Sequence, residues 1–163
     1  MTHSIESFDA LARRYRPELA AYLYRVLGDW HDAEDACQEA LLRAQRAHAR
    51  LRPQSNARAW LYKIATNTAL NLMRQRRRQA ARSVDVDPDS LPAEADSFDR
   101  REEVQALREA IQALPAKQRA ALMLRRFHDL SYSEIAASLG GSPEAARANV
   151  YQAIRRLRQM LAE

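Results

Sequence analysis

The chain has 163 residues, 26 of them Lys or Arg and 21 Asp or Glu, for a formal net charge of +5. That length suits one compact domain or two small ones, and no apolar run approaches the roughly 20 residues that a bilayer span needs. The single cysteine, Cys37, excludes an internal disulfide and offers no cysteine pair for zinc. With no leader pattern before the first amphipathic segment, these features predict a cytoplasmic protein without membrane insertion.

Charge is unevenly spread along the chain. Residues 1–82 carry a net +7, residues 83–103 a net −6 and residues 104–163 a net +4. Basic parts on either side of an acidic middle point to a polyanion, most often nucleic acid, although solvated arginine-rich helix faces give the same totals.

The elements follow in order, all of them helical. Phe8, Leu11, Tyr15, Leu19, Tyr22, Leu23 and Val26 recur at helical spacing, which predicts a helix over about 5–27 that Gly28 stops. Asp29 then caps a second helix, over about 30–48. Its Ala33, Ala36, Cys37, Ala40, Leu41 and Ala44 face one way, while Asp35, Gln38, Glu39, Leu42 and Arg46 lie along the other. Acids in a first turn complement the helix dipole. Together with an exposed Leu42, they also suit docking against a basic partner. His31 and Asp35 stand four residues apart without an evident third metal ligand.

A third helix, over about 56–79, has a broad apolar side of Trp60, Leu61, Ile64, Ala65, Ala69, Leu72 and Met73. Lys63, Asn67, Asn71 and Arg74 fall in line on it as one polar stripe. Amide and cationic groups in a row, followed by Arg76, Arg77 and Arg78, can contact bases and phosphates together. The acidic stretch "SVDVDPDSLPAEADSFD", with Pro88 and Pro92 and no helical period, reads as a flexible linker over 83–103 and marks the domain boundary.

Four helices follow, over about 100–113, 115–128, 132–139 and 143–161, with Pro115 and Pro143 at first helical positions. In "LSYSEIAASLGGSPEAARANVYQAIRRLR", Ser131 and Glu134 have capping-box spacing, and Leu130 with Ile135 forms a hydrophobic staple. Gly140 and Gly141 are two of only three glycines in the chain, which places a tight turn there. Gly140 is expected in the left-handed conformation after the helix, with Ser142 capping the next one. Two helices joined this closely make a helix-turn-helix. In the second of them, Ala146, Val150, Ala153, Ile154, Leu157 and Leu161 point inward. Arg147, Ala148, Tyr151, Gln152, Arg155 and Arg158 form a cationic, amide-bearing outer face that suits a DNA major groove.

These pieces, in this order, resemble the sigma-70 family, specifically its extracytoplasmic-function (ECF) group. "DAEDACQEALLRAQRA" followed by "ARAWLYKIATNTALNLMRQRRR" is similar to region 2 of that family. "LPAKQRAALMLRRFHDLSYSEIAASLGGSPEAARANVYQAIRRLRQML" is similar to region 4. The resemblance implies a dissociable subunit of bacterial RNA polymerase that recognises promoter DNA. It assigns docking on core polymerase to Asp35, Gln38, Glu39 and Leu42. It assigns the minus-ten element to a base-capture loop over about Leu51–Asn56 and to Asn67, beside which the polar stripe and the arginine run offer Lys63, Asn71, Arg74 and Arg77 as further contacts. The minus-thirty-five element falls to Arg147, Ala148, Tyr151, Gln152 and Arg155. An anti-sigma factor is a common partner of the group, and no cofactor is implied.

The resulting expectation is an all-α protein of two small helical domains on a flexible acidic linker. Residues 1–82 form the region 2-like domain, and residues 104–163 form the region 4-like domain with the helix-turn-helix. Two rivals remain. One is a helix-turn-helix regulator that binds duplex DNA without polymerase core. The other is a metal-assisted nuclease using His31, Asp32, Glu34 and Asp35.

Overall fold

The structure is a computed structural model that describes residues 6–52, 55–82 and 98–162. Among these residues there is no strand. The helices are α1 (Phe8–Leu27), α2 (Trp30–Ala47), a 3-10 turn (His48–Arg50), α3 (Ala57–Ala80), α4 (Phe98–Ala113), α5 (Ala116–Arg126), α6 (Tyr132–Leu139) and α7 (Pro143–Ala162).

Three expected boundaries move, each for a local reason. Helix α1 begins at Phe8 rather than near residue 5, because the Ser7 side chain accepts the Ala10 backbone N–H and caps it. Helix α4 begins at Phe98, so residues 98–103 are helical and not linker; Asp99 in its first turn favours the helix dipole. Pro115 stands just before α5 as its cap residue, with extended backbone, rather than inside it. The rest of the expected linker, 83–97, lies outside the described residues.

Helices α1, α2 and α3 form the first unit. The small side chains on α2 let its neighbours come close: Ala33, Ala36, Cys37, Ala40, Leu41 and Ala44 are all buried, as their spacing predicts. Helix α3 is buried more widely than its apolar pattern announces. Tyr62, Thr66, Thr68 and Leu70 join Leu61, Ala65 and Ala69 inside. The threonines are satisfied there: Thr66 shares a 2.8 Å hydrogen bond with the Tyr22 hydroxyl, and Thr68 donates to the Ile64 carbonyl at 2.8 Å. A buried hydroxyl with a partner avoids the penalty of lost solvation.

The second unit, α5 to α7, packs directly on the first. Helix α5 meets α1, and α6 meets α3, so one continuous core runs from Leu19 and Tyr22 through Met123 and Leu124 to Val150 and Ala153. Two polar side chains rivet the junction. Arg119 of α5 is buried with no carboxylate partner among the described residues, and its guanidinium donates to backbone carbonyls at two helix C-termini. These are Val26 of α1 (2.8 Å) and Ile111 (3.0 Å), Gln112 (2.6 Å) and Leu114 (2.9 Å) at the end of α4. Helix C-termini carry unpaired carbonyls and partial negative charge, so a cation there is favourable. Burial, with Arg77 nearby, lowers the Arg119 pKa.

The second rivet is His128, in the turn between α5 and α6. Asp129 adopts a positive φ of 55°, a conformation Asp tolerates, and the turn carries His128 into the junction. Its Nδ1 lies 2.8 Å from the Tyr62 hydroxyl and its Nε2 lies 3.3 Å from Arg25 Nη1. Arginine only donates, so Nε2 accepts, the proton sits on Nδ1 and the ring is neutral. Arg58 completes the contact, pairing with Glu18 at 3.0 Å and donating to the His128 carbonyl at 2.6 Å.

Candidate nucleic-acid interface

On α3 the polar stripe forms as its spacing predicts. Lys63, Asn67, Asn71 and Arg74 are all exposed along one side, and Arg76, Arg77 and Arg78 extend the positive charge to the helix end. Arg76 is held by Asp32 of α2, leaving Arg77 and Arg78 at the exposed end of the row.

The outward face of α2 adjoins this stripe. Asp35, Gln38 and Glu39 are exposed, and Leu42 keeps 49% of its surface in water although it is a large apolar residue. Glu39 pairs with Arg43 at 2.6 Å, so the acidic character of this face is softened at that point. Glu39 and Arg43 also share a groove with Asn71, Leu72, Arg74 and Arg78. The expected docking face and the expected DNA stripe therefore meet across the α2–α3 seam.

The expected base-capture loop is only partly described, since residues 53 and 54 fall outside the described residues. Leu51 is half-buried, and Asn56 closes the loop as the cap of α3, accepting the Ala59 N–H at 3.0 Å. The Asn56 amide nitrogen also donates to Glu134 of α6 at 2.8 Å. One residue expected at the minus-ten element thus already has a partner in the helix-turn-helix unit. The Glu134 carboxyl lies below its usual range, first because it accepts the Ser131 backbone N–H, with the Ser131 hydroxyl and Asn56 contributing.

The helix-turn-helix is built by its caps. Ser131 and Glu134 form a reciprocal capping box on α6, with Leu130 and Ile135 both fully buried beside it. Gly140 ends the helix with φ 80° and ψ 153°, which is not the left-handed helical conformation expected but one that essentially only glycine occupies. Gly141 follows at φ 99°, and Ser142 then accepts the Ala145 N–H at 3.1 Å to start α7. Two consecutive positive-φ residues explain the paired glycines.

Helix α7 buries Ala146, Val150 and Ala153, with Ile154 and Leu157 partly covered; Leu161, expected inside, is exposed because the helix runs past the end of its support. Arg147, Ala148, Tyr151, Gln152 and Arg155 are all exposed, and Tyr151 keeps 67% of its surface in water. A large aromatic that exposed, between cations, fits a surface prepared for a partner.

Of the metal-assisted alternative, Asp32 is tied to Arg76 and His31 is exposed. Among the described residues no three His, Cys, Asp or Glu side chains group as metal ligands. None of the described helices is long and apolar enough to cross a membrane. The residues that spacing failed to single out are Arg58, Tyr62, Arg119 and His128, which join the units, and Gln118, which touches Gln152. Each is polar or aromatic on a helix or turn whose partner is distant in sequence.

Comparison with known proteins gives two family matches, sigma-70 region 2 over residues 11–79 and sigma-70 region 4 over residues 104–157. The chain is 34% identical to the RNA polymerase sigma-H factor of Pseudomonas aeruginosa, covering 90% of this chain and 82% of that one. It is 33% identical to the ECF RNA polymerase sigma factor SigE of Mycolicibacterium smegmatis, covering 98% of this chain and 63% of that protein. Against SigG of Mycobacterium tuberculosis it spans 46% of the relative's length, so some curated relatives are considerably longer. Among solved structures, the sigma factor RpoE of Bartonella quintana, in complex with the anti-sigma factor NepR, superposes with a TM-score of 0.77 at 28% identity, covering 95% of this chain and 96% of that one. Two region matches in the expected order, and relatives matched over most of both chains, establish that this chain belongs to the sigma-70 family, within its ECF group.

Proposed function

We propose that the chain acts as an ECF-type sigma subunit, binding bacterial RNA polymerase core and directing it to promoter DNA. The observation that supports this reading is that Asp35, Gln38, Glu39 and Leu42 on α2, Lys63, Asn67, Asn71, Arg74 and Arg77 on α3, and Arg147, Ala148, Tyr151, Gln152 and Arg155 on α7 are all exposed, whereas Leu51 is half-buried and Asn56 is bonded to Glu134. Core docking falls to Asp35, Gln38, Glu39 and Leu42 on α2, where an apolar side chain stands among acids. The minus-ten element falls to Leu51, Asn56, Lys63, Asn67, Asn71, Arg74 and Arg77, and the minus-thirty-five element to Arg147, Ala148, Tyr151, Gln152 and Arg155. Recognition and strand opening draw on binding free energy alone, with no covalent step. Two DNA contacts on one chain make the second effectively intramolecular, which raises avidity when the geometry spans both elements.

Engaging DNA with Asn56 requires exchanging its bond to Glu134. An anti-sigma factor is a fitting partner, since the related RpoE was solved with one. The helix-turn-helix regulator is the weaker reading, because it leaves the α2 face and the α3 stripe without a role. Asn67→Ala is expected to impair promoter opening while core association stays intact; equal loss of both would contradict the assignment. Arg147→Ala is expected to weaken upstream-element binding about tenfold, a loss of the size of one good base contact, and unchanged affinity at physiological salt would count against it.

A further inference from the structure

Gln118, in the first turn of α5, is only 8% exposed, and its Nε2 donates to Gln152 Oε1 at 3.0 Å. Its own Oε1 is buried and has no hydrogen-bond partner among the described residues. An unpaired buried carbonyl oxygen destabilises the fold, and an apolar side chain of the same length would remove that defect. Core stability therefore does not account for a glutamine at this position. Its polar contact runs instead to the exposed face of α7.

Gln152 lies there between Tyr151 and Arg155. A glutamine that reads adenine uses both ends of its amide: Oε1 accepts from N6 and Nε2 donates to N7. Here Oε1 is turned inward onto Gln118, which leaves the Nε2 hydrogens for the outer side. Two outward donors match an edge made of acceptors, and guanine presents two, N7 and O6. We infer that Gln118 is a positioning residue that holds the Gln152 amide donor-outward, so that Gln152 reads guanine rather than adenine in the upstream element. This rests on the proposed role of α7.

The test uses the full chain with bacterial polymerase core on a promoter library randomised across the upstream element. Base preference at each position is measured for the wild type, Gln118→Met, Gln118→Asn, Gln152→Ala and the Gln118→Met/Gln152→Ala double variant. The wild type is expected to favour guanine at one position, and Gln152→Ala to flatten that preference about five- to tenfold. Gln118→Met keeps the volume without the donor, and Gln118→Asn keeps a buried amide one methylene short of Gln152. Both are expected to flatten the same position and no other, and Gln118→Met should add nothing in the Gln152→Ala background.

A Gln118→Met effect that persists without Gln152, or spreads evenly over all positions, would mark a structural role and overturn the inference. Wild-type profiles in both Gln118 variants, or an adenine preference at that position, would overturn it equally. A wild type that associates with core yet shows no upstream base preference would remove the role of α7, and the inference with it.

Discussion

Helices α3 and α7 carry the same kind of outer chemistry, cations and amides in line, yet they are held in opposite ways. Helix α7 buries one narrow face of small residues and leaves the rest in water. Helix α3 is enclosed from two directions: α1 and α2 pack along it within the first unit, and α5 and α6 reach it from the second. A helix covered on one face can present a wide surface to duplex DNA. A helix covered on most sides presents only a stripe, fixed rigidly in place. The two units also differ in what a perturbation at their junction would change: α3 loses a wall, whereas α7 keeps its packing against α5 and α6.

Arg119→Leu should break this contrast most severely. It removes the donors to four carbonyls at two helix ends and is expected to lower stability by roughly 3 kcal/mol, read by urea unfolding. Faster hydrogen exchange in α3 with α7 unchanged would accompany it if the junction is what encloses α3. Uniform exchange across the chain would show instead that the two units unfold as one.

Acidification attacks the same junction through His128. Burial pushes this imidazole down to about 4 from its ordinary 6.5, with Arg25 and Arg58 adding repulsion that Glu18 and Asp129 only partly offset. Tyr22 and Tyr62 are the remaining titratable groups against it, and burial raises both. The folded chain therefore binds this proton less tightly than the unfolded chain does. Stability from the neutral ring is present above pH 6.5 and is lost as pH falls toward 4, by about 2 kcal/mol between pH 7 and pH 5. His128→Asn should flatten that dependence; a wild-type stability independent of pH in this window would contradict the neutral, buried ring.

Gly140→Ala acts on the second unit alone. A Cβ there meets nothing within 4 Å, so the cost is backbone strain alone, about 1–2 kcal/mol, confined to the α6–α7 turn. Gly140→Asn should not rescue it, because ψ near 153° lies outside the left-handed helical region that asparagine tolerates. Smallest of all is Glu39→Gln, which removes an exposed ion pair to Arg43 and should change stability by less than about 0.5 kcal/mol. Any larger effect on core association would then reflect docking.

Much of this was legible in the sequence because α2, α6 and α7 each bury one face. The six inward residues of α2 and the capping box at Ser131 and Glu134 follow from spacing alone. So does the outer face of α7. Helix α3 was only half legible: periodicity registers an apolar stripe, and Thr66, Thr68 and Tyr62 are buried through hydrogen bonds that no pattern announces. Arg119 and Gln118 went unseen for a related reason, since a charged or amide side chain is read as solvated unless its distant partners are known. The packing of the two units was hidden for the same reason, because an acidic linker says nothing about what its ends dock against.

Mixing the full chain with bacterial polymerase core and following run-off transcription over a library of promoter fragments decides whether the chain works as a sigma subunit. A sigma subunit associates with core and yields transcripts that start downstream of a shared two-part motif. Tight sequence-specific duplex binding by the chain alone, without core association, would contradict that role and leave only the helix-turn-helix standing.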